Sequence, residues 1–169
     1  MKIVIITDLH ANLPALDAIL AAVRQEDYQE IFHLGDAVGI GPYPSQCLAR
    51  LRDTPNVRFV KGNHDAWLVD GFPDAPPEWM NQEDPSAHEF WTHLQNSTHW
   101  TRDQVSAQLR AFVAEWPFQI QREFEGVRAS FQHYALTRSG QDFKPIVMQP
   151  TVDDLDRLFA ACDAGVVFY

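Results

Sequence analysis

The chain has 169 residues, a formal net charge of -10, 46% hydrophobic residues and 21% charged residues. That length fits one domain with a real hydrophobic core, and eleven Pro against eight Gly read as defined loops, not a low-complexity tail. The acidic balance excludes tight non-specific nucleic-acid binding, which needs a basic surface, but leaves a nucleotide substrate open, because bound cations can reverse a local potential. Cys47 and Cys162 stand far apart in no metal-like spacing, so they read as reduced core thiols. The opening apolar run turns polar at Thr7-Asp8, too soon for a signal peptide or a membrane span. The expectation is a cytoplasmic protein without membrane association.

Ile3 to Ile6 is a β-branched apolar run, predicted as a strand buried on both faces of a parallel or mixed sheet. Leu13 to Arg24 follows at helical period, with Leu16, Ile19, Leu20 and Val23 on one face and Pro14 near the start. Ile31 to Leu34 reads as a second strand, Pro44 to Leu51 as a second helix and Val57 to Val60 as a third strand. This alternation predicts an α/β domain. Residues 66–100, rich in Trp, Pro, His and Asp, read as a mostly helical excursion with one helix near Ser86 to Leu94. Thr101 is expected to cap a further helix running to Glu115. Phe118 to Phe124 and Val127 to Gln132 predict a hairpin turning at Glu125-Gly126. Residues 137–150 read as a loop, Thr151 as the cap of a short helix, and Val166 to Tyr169 as a last strand. Nothing marks an internal repeat or an interdomain linker, so residues 1–169 read as a single domain.

Polar clusters follow the first three strands directly: Asp8-Leu9-His10-Ala11-Asn12, Gly35-Asp36, and Gly62-Asn63-His64-Asp65. In an open α/β sheet, ligands bind beyond the carboxyl ends of the strands. Three strand ends would deliver Asp, His, Asp, Asn and His into one crevice. Carboxylate, imidazole and amide oxygen suit manganese, iron, zinc or magnesium. A bridging carboxylate can hold two such ions roughly 3.5–4 Å apart, where they activate a water and clamp a phosphoryl group. Gly35 and Gly62, lacking a Cβ, would let the backbone turn sharply and come close to the ions.

These motifs resemble the calcineurin-like metallophosphoesterases, in particular the small prokaryotic branch. The opening Asp8-x-His10-x-Asn12-x-x-Ala15-Leu16, the stretch Gly35 to Pro42, and Gly62-Asn63-His64-Asp65 each resemble one of its motifs, and a looser likeness runs on through Trp100-Thr101. The resemblance implies a layered α-β-β-α sandwich and two divalent ions, manganese first, with iron, zinc, nickel or magnesium as alternatives. It implies that Asp8 and His10 bind the first metal, Asp36 bridges both and Asn63 binds the second. It gives His64 a substrate-facing catalytic role, with Asp65 orienting it. His133, followed by Tyr134 where the family usually has Gly, is the candidate for a later ligand. The implied activity is hydrolysis of phosphodiesters or small phosphomonoesters, nucleotide-derived ones among them, by a metal-bridged hydroxide. The family's closing Gly-His-x-His would follow Tyr169. On that ground the second sheet is expected to be incomplete, with an edge open to a homo-oligomer. Two rival readings follow: a truncated metal-binding remnant, or a regulatory or assembly module completed by a partner chain.

Other features read as structural. His33, His88, His93 and His99 are expected in packing or surface roles, with one excursion histidine left open as a substrate contact. The tryptophans 67, 79, 91, 100 and 116 read as core or cap packing more than as a stacking platform. Gly39-x-Gly41-Pro42 lacks the Lys and spacing of a P-loop and reads as a loop shaping the rim of the site.

Overall fold

The computed structural model describes residues 2–77, 80 and 84–169. Strands β1 (Ile3–Ile6), β2 (Glu30–His33) and β3 (Val57–Phe59) form a parallel sheet in that order, with β2 central. Helices α1 (Leu13–Val23) and α2 (Pro44–Arg52) make the crossovers. The β-branched run of β1 has both faces covered, as its composition predicts: Val4 packs into the helical core, Ile3 and Ile5 into the core between the sheets. The Asn12 side chain caps α1 by accepting from the Ala15 amide at 3.1 Å. Leu16, Leu20 and Val23 then bury one stripe of the helix.

The second sheet is β4 (Gln119–Phe124), β5 (Val127–Gln132) and β6 (Val166–Phe168). The β4–β5 hairpin turns where expected, with Glu125 and Gly126 both at positive φ (51° and 83°), the backbone of a type I′ turn. Alternation along β5 sets its two faces. Ala129 and Phe131 point to the first sheet, and Phe131 stacks on Phe32 at 3.8 Å and on Phe168 at 5.0 Å. Ser130 and Gln132 point the other way into a polar network with Gln119. The layered α-β-β-α arrangement is therefore present, with α6 (Val152–Phe159) beyond the second sheet and Phe159 against Tyr169. Thr151 caps α6 as predicted, accepting from the Asp154 amide.

The middle of the chain departs from expectation. A helix α3 (Asn63–Asp70) begins at the third polar cluster itself. The predicted helix near Ser86 to Leu94 is part of one longer helix, α4 (Pro85–Gln104). Thr101 is not a cap; it lies buried inside α4 with Thr98 one turn before it. The chain breaks at Val105, which is extended, and Ser106 caps α5 (Ala107–Ala114) through the Leu109 amide. The stretch from Gln95 to Thr98 has low helix propensity but no Gly or Pro, so tertiary burial carries the helix through it. Trp116 is core, Trp100 is exposed, and Trp79 lies outside the described residues. Cys47 and Cys162 are free. Among the described residues, no helix is long and apolar enough to cross a membrane.

Candidate metal centre

The loops after β1 and β2 run on side by side beyond the strands. The amides of Asp8, His10 and Ala11 donate to the carbonyls of Gly35, Asp36 and Ala37. To hold this register Asp8, His10, Ala11 and Asp36 all take positive φ, between 44° and 55°. Non-glycine residues in this region cost roughly 1–3 kcal/mol each and persist only where the surroundings impose them. Three candidate ligands sit among these four residues.

The side chains converge on Asp36, which is 3% exposed. His10 Nε2 lies 3.6 Å from Asp8 Oδ1 and 3.8 Å from Asp36 Oδ2. His133, just past β5, places Nε2 3.4 Å from Asp36 Oδ2 and 3.2 Å from Asn63 Oδ1. Its Nδ1 donates to the Leu34 carbonyl at 2.9 Å, so when the ring is neutral its lone pair sits on Nε2, the nitrogen that faces the cluster. Two groups of donor atoms lie mutually within 4.8 Å: His10, Asp36 and His64, and Asp8, Asp36 and His133. Asp36 belongs to both. Two clusters of carboxylate and imidazole joined by one carboxylate fit a pair of hard or borderline divalent cations. Asn63 supplies an amide oxygen beside the second cluster.

The electrostatics agree with a site that attracts positive charge. The neighbouring His10 imidazole holds Asp8 down at about 2. Burial opposes protonation of His133, but the Asp36 carboxylate outweighs it and lifts that imidazole to about 9. Burial lowers His64, whose ring meets His10 edge-on at 4.9 Å.

Asp65 departs from its expected role of orienting His64. It is fully buried, and its two oxygens accept from three backbone amides: Asp36 at 2.7 Å, Gly62 at 2.9 Å and Ala37 at 3.0 Å. Burial and the adjacent Asp36 carboxylate push it up to about 7 against these donors. Asp65 thus ties the β2 loop to the start of α3, and fixes Asp36 through its backbone. The Asp36 side chain returns the contact, accepting from the His64 amide at 2.9 Å.

The glycines show how closely the loops meet. Gly35 has φ +102°, and a Cβ there would stand 2.5 Å from the Gly62 nitrogen. A Cβ on Gly39 would meet His64 Nδ1 at 2.3 Å, and one on Gly41 would meet the His10 carbonyl oxygen at 2.2 Å. The Gly39 to Pro42 loop therefore lies against both histidines, as a rim would. His33 is fully buried, with Nδ1 accepting from the Gly35 amide at 3.2 Å, while His88, His93 and His99 lie exposed on α4. Trp67 and Trp91 are not core packing; they line a groove that opens from the cluster. No local sequence signal distinguishes them from the other tryptophans.

Comparison with known proteins agrees with this geometry. A family model for the calcineurin-like phosphoesterase superfamily domain matches residues 1–169. An uncharacterized protein of Methanocaldococcus jannaschii is 30% identical over 131 residues, covering 78% of this chain and 48% of that protein. The chain thus spans about half the length of this curated relative. The crystal structure of a metallophosphoesterase from Sphaerobacter thermophilus superposes with a TM-score of 0.66 at 26% identity, over 99% of this chain and 59% of that one. A hypothetical protein from Pyrococcus horikoshii shares the fold at 18% identity and a TM-score of 0.71, over 98% of this chain and 68% of that one. With the family model matched end to end on a sheet-end cluster of Asp, His and Asn, the chain belongs to the calcineurin-like phosphoesterase superfamily.

Proposed function

We propose that this chain carries a metal-dependent phosphoesterase site, acting on phosphodiesters or small phosphomonoesters. The observation that carries the reading is the buried Asp36 carboxylate set between His10 Nε2 at 3.8 Å and His133 Nε2 at 3.4 Å. Asp8, His10, Asp36, Asn63 and His133 would hold two divalent cations, manganese first among them. Those cations, when bound, supply an activated water and neutralise charge on the phosphoryl oxygens. The chain's own part is positional and protonic. Asp36 is held from both sides, by amides running to Asp65 and by the His64 amide on its carboxylate. His64 lies at the edge of the cluster, beside the groove wall formed by Trp67. There its imidazole N–H can hydrogen-bond an ester oxygen, and in its protonated, imidazolium form it can give a proton to the leaving alkoxide. The two free cysteines support a cytoplasmic setting.

The test is hydrolysis of bis(p-nitrophenyl) phosphate with added manganese, with manganese binding followed in parallel by calorimetry. Turnover that requires manganese, and that is lost in Asp36→Asn together with ion binding, is the expected result. Tight manganese binding without turnover would refute the enzymatic reading and leave a metal-holding module.

A further inference from the structure

A groove of about 950 Å³ opens directly from the metal cluster, with Asp8, Asn63 and His133 at its inner end. Its size is that of a small-molecule site. Its lining is largely apolar, with the rings of Trp67, Phe90, Trp91, Tyr134 and Phe143 in it. On one side Trp67 and Trp91 line the groove, backed by Phe72, which meets them at 5.0 Å and 4.5 Å, and Trp67 meets His64 of the cluster at 4.6 Å. On the other side Phe143 meets His133 edge-on at 5.8 Å. Farther out, Phe90 and Ile146 remain 51% and 48% exposed at the mouth, a large apolar surface to leave in water.

Charge narrows the choice of occupant. Among the described residues lining the groove outside the cluster of candidate ligands, the one cation is Lys144. Its ammonium is turned away and donates to the carbonyls of Arg157 and Leu158 at the end of α6. The other charged lining groups, Asp8 and Asp142, are acidic. Beyond the cluster of candidate ligands, then, the described lining of the groove offers no counter-charge for a further phosphate. It offers ring faces and edges, which favour a flat apolar group in stacked or edge-on contact.

We propose that this groove is the subsite for the organic group of the ester, and that it selects aryl or similarly flat, apolar groups over both small alkyl groups and groups carrying additional phosphates. The proposal rests on the phosphoesterase reading above for the position of the phosphoryl group. Aromatic packing beside the cluster then sets the substrate class.

Calorimetric titration of phenylphosphonate and methylphosphonate into the manganese-loaded protein tests it without requiring turnover. Phenylphosphonate should bind at least tenfold more tightly, and Trp91→Ala and Phe143→Ala, one on each wall, should each bring that ratio below threefold. Equal affinity for the two phosphonates, no binding of either, or an unchanged ratio in both variants would overturn the proposal. Parallel assays with phenyl p-nitrophenyl phosphate and methyl p-nitrophenyl phosphate separate the two readings. Aryl-selective binding with no turnover of either ester would refute the esterase and uphold the groove. Turnover of both esters with equal phosphonate affinities would uphold the esterase and refute the groove.

Discussion

Replacing Gly62 by Ala tests whether the strand-end loops meet as tightly as the structure shows. Gly62 has φ -90° and ψ 179°, a conformation any residue adopts. Backbone strain therefore plays no part, and an unhindered Gly→Ala change here would stabilise by about 0.4–1 kcal/mol through the unfolded chain. Here the added Cβ would stand 2.2 Å from Asp36 Oδ1 and 2.4 Å from the Asp36 nitrogen. Ordinary contact begins at 3.4 Å, so Asp36 or the start of α3 must shift by about 1 Å. Neither is a free side-chain end: the Asp36 amide is bonded to Asp65, and its carboxylate to the His64 amide. Overpacking of this kind costs about 1–3 kcal/mol, which exceeds the entropic gain and reverses its sign. Displacement of the shared ligand should weaken manganese binding about 10- to 100-fold, the range seen when outer-shell support is lost. Urea unfolding without metal measures the first effect, and calorimetric titration with manganese the second. A variant within about 0.5 kcal/mol of the parent, the range of a neutral surface change, and with unchanged manganese affinity, would refute the reasoning.

Four further outcomes follow from particular contacts. Asp65→Asn replaces an acceptor oxygen with an NH2 that must face a backbone N–H, so it should cost about 1–3 kcal/mol in urea unfolding; unchanged stability would show that the three amides do not depend on the carboxylate. Phe131→Ala empties the stack between Phe32 and Phe168 and should cost about 3–5 kcal/mol by the same measurement; a loss below 1 kcal/mol would mean that the two sheets are joined elsewhere. Burial holds His33 down to about 4 from an ordinary 6.5, so as pH falls through that window the unfolded chain takes up the proton first and stability drops, by about 3 kcal/mol at pH 4; above pH 6.5 the term vanishes, and His33→Gln should remove this part of the slope in unfolding measured at several pH values, so identical slopes in parent and variant would refute it. His64→Ala should abolish hydrolysis of the chromogenic diester while leaving manganese binding nearly intact, and full activity would remove His64 from the mechanism.

The first three strands, the hairpin and the positions of the polar clusters were legible in the sequence because each depends on neighbours along the chain. A β-branched run such as Ile3 to Ile6 has few alternatives to a buried strand, and Glu125-Gly126 suits a tight turn. Asp8, His10, Asp36 and Asn63 could be named as candidates because strand-end motifs are local and the topology of a parallel sheet brings their ends together. His133 became a candidate by its place at the end of a strand, not by its neighbours.

What the sequence could not determine depends on surfaces that meet across the fold. Thr101 looks like a cap, yet it lies buried beside Thr98 inside α4. Asp65 looks like a partner for the adjacent His64, yet the amides of Asp36 and Ala37 from the other loop claim its oxygens. Trp67, Trp91 and Phe143 are alike in sequence to any packing aromatics. They become walls of one groove only when α3, α4 and the segment after β5 are set around the cluster of candidate ligands, because a cavity is a property of the space between elements and no single segment encodes it.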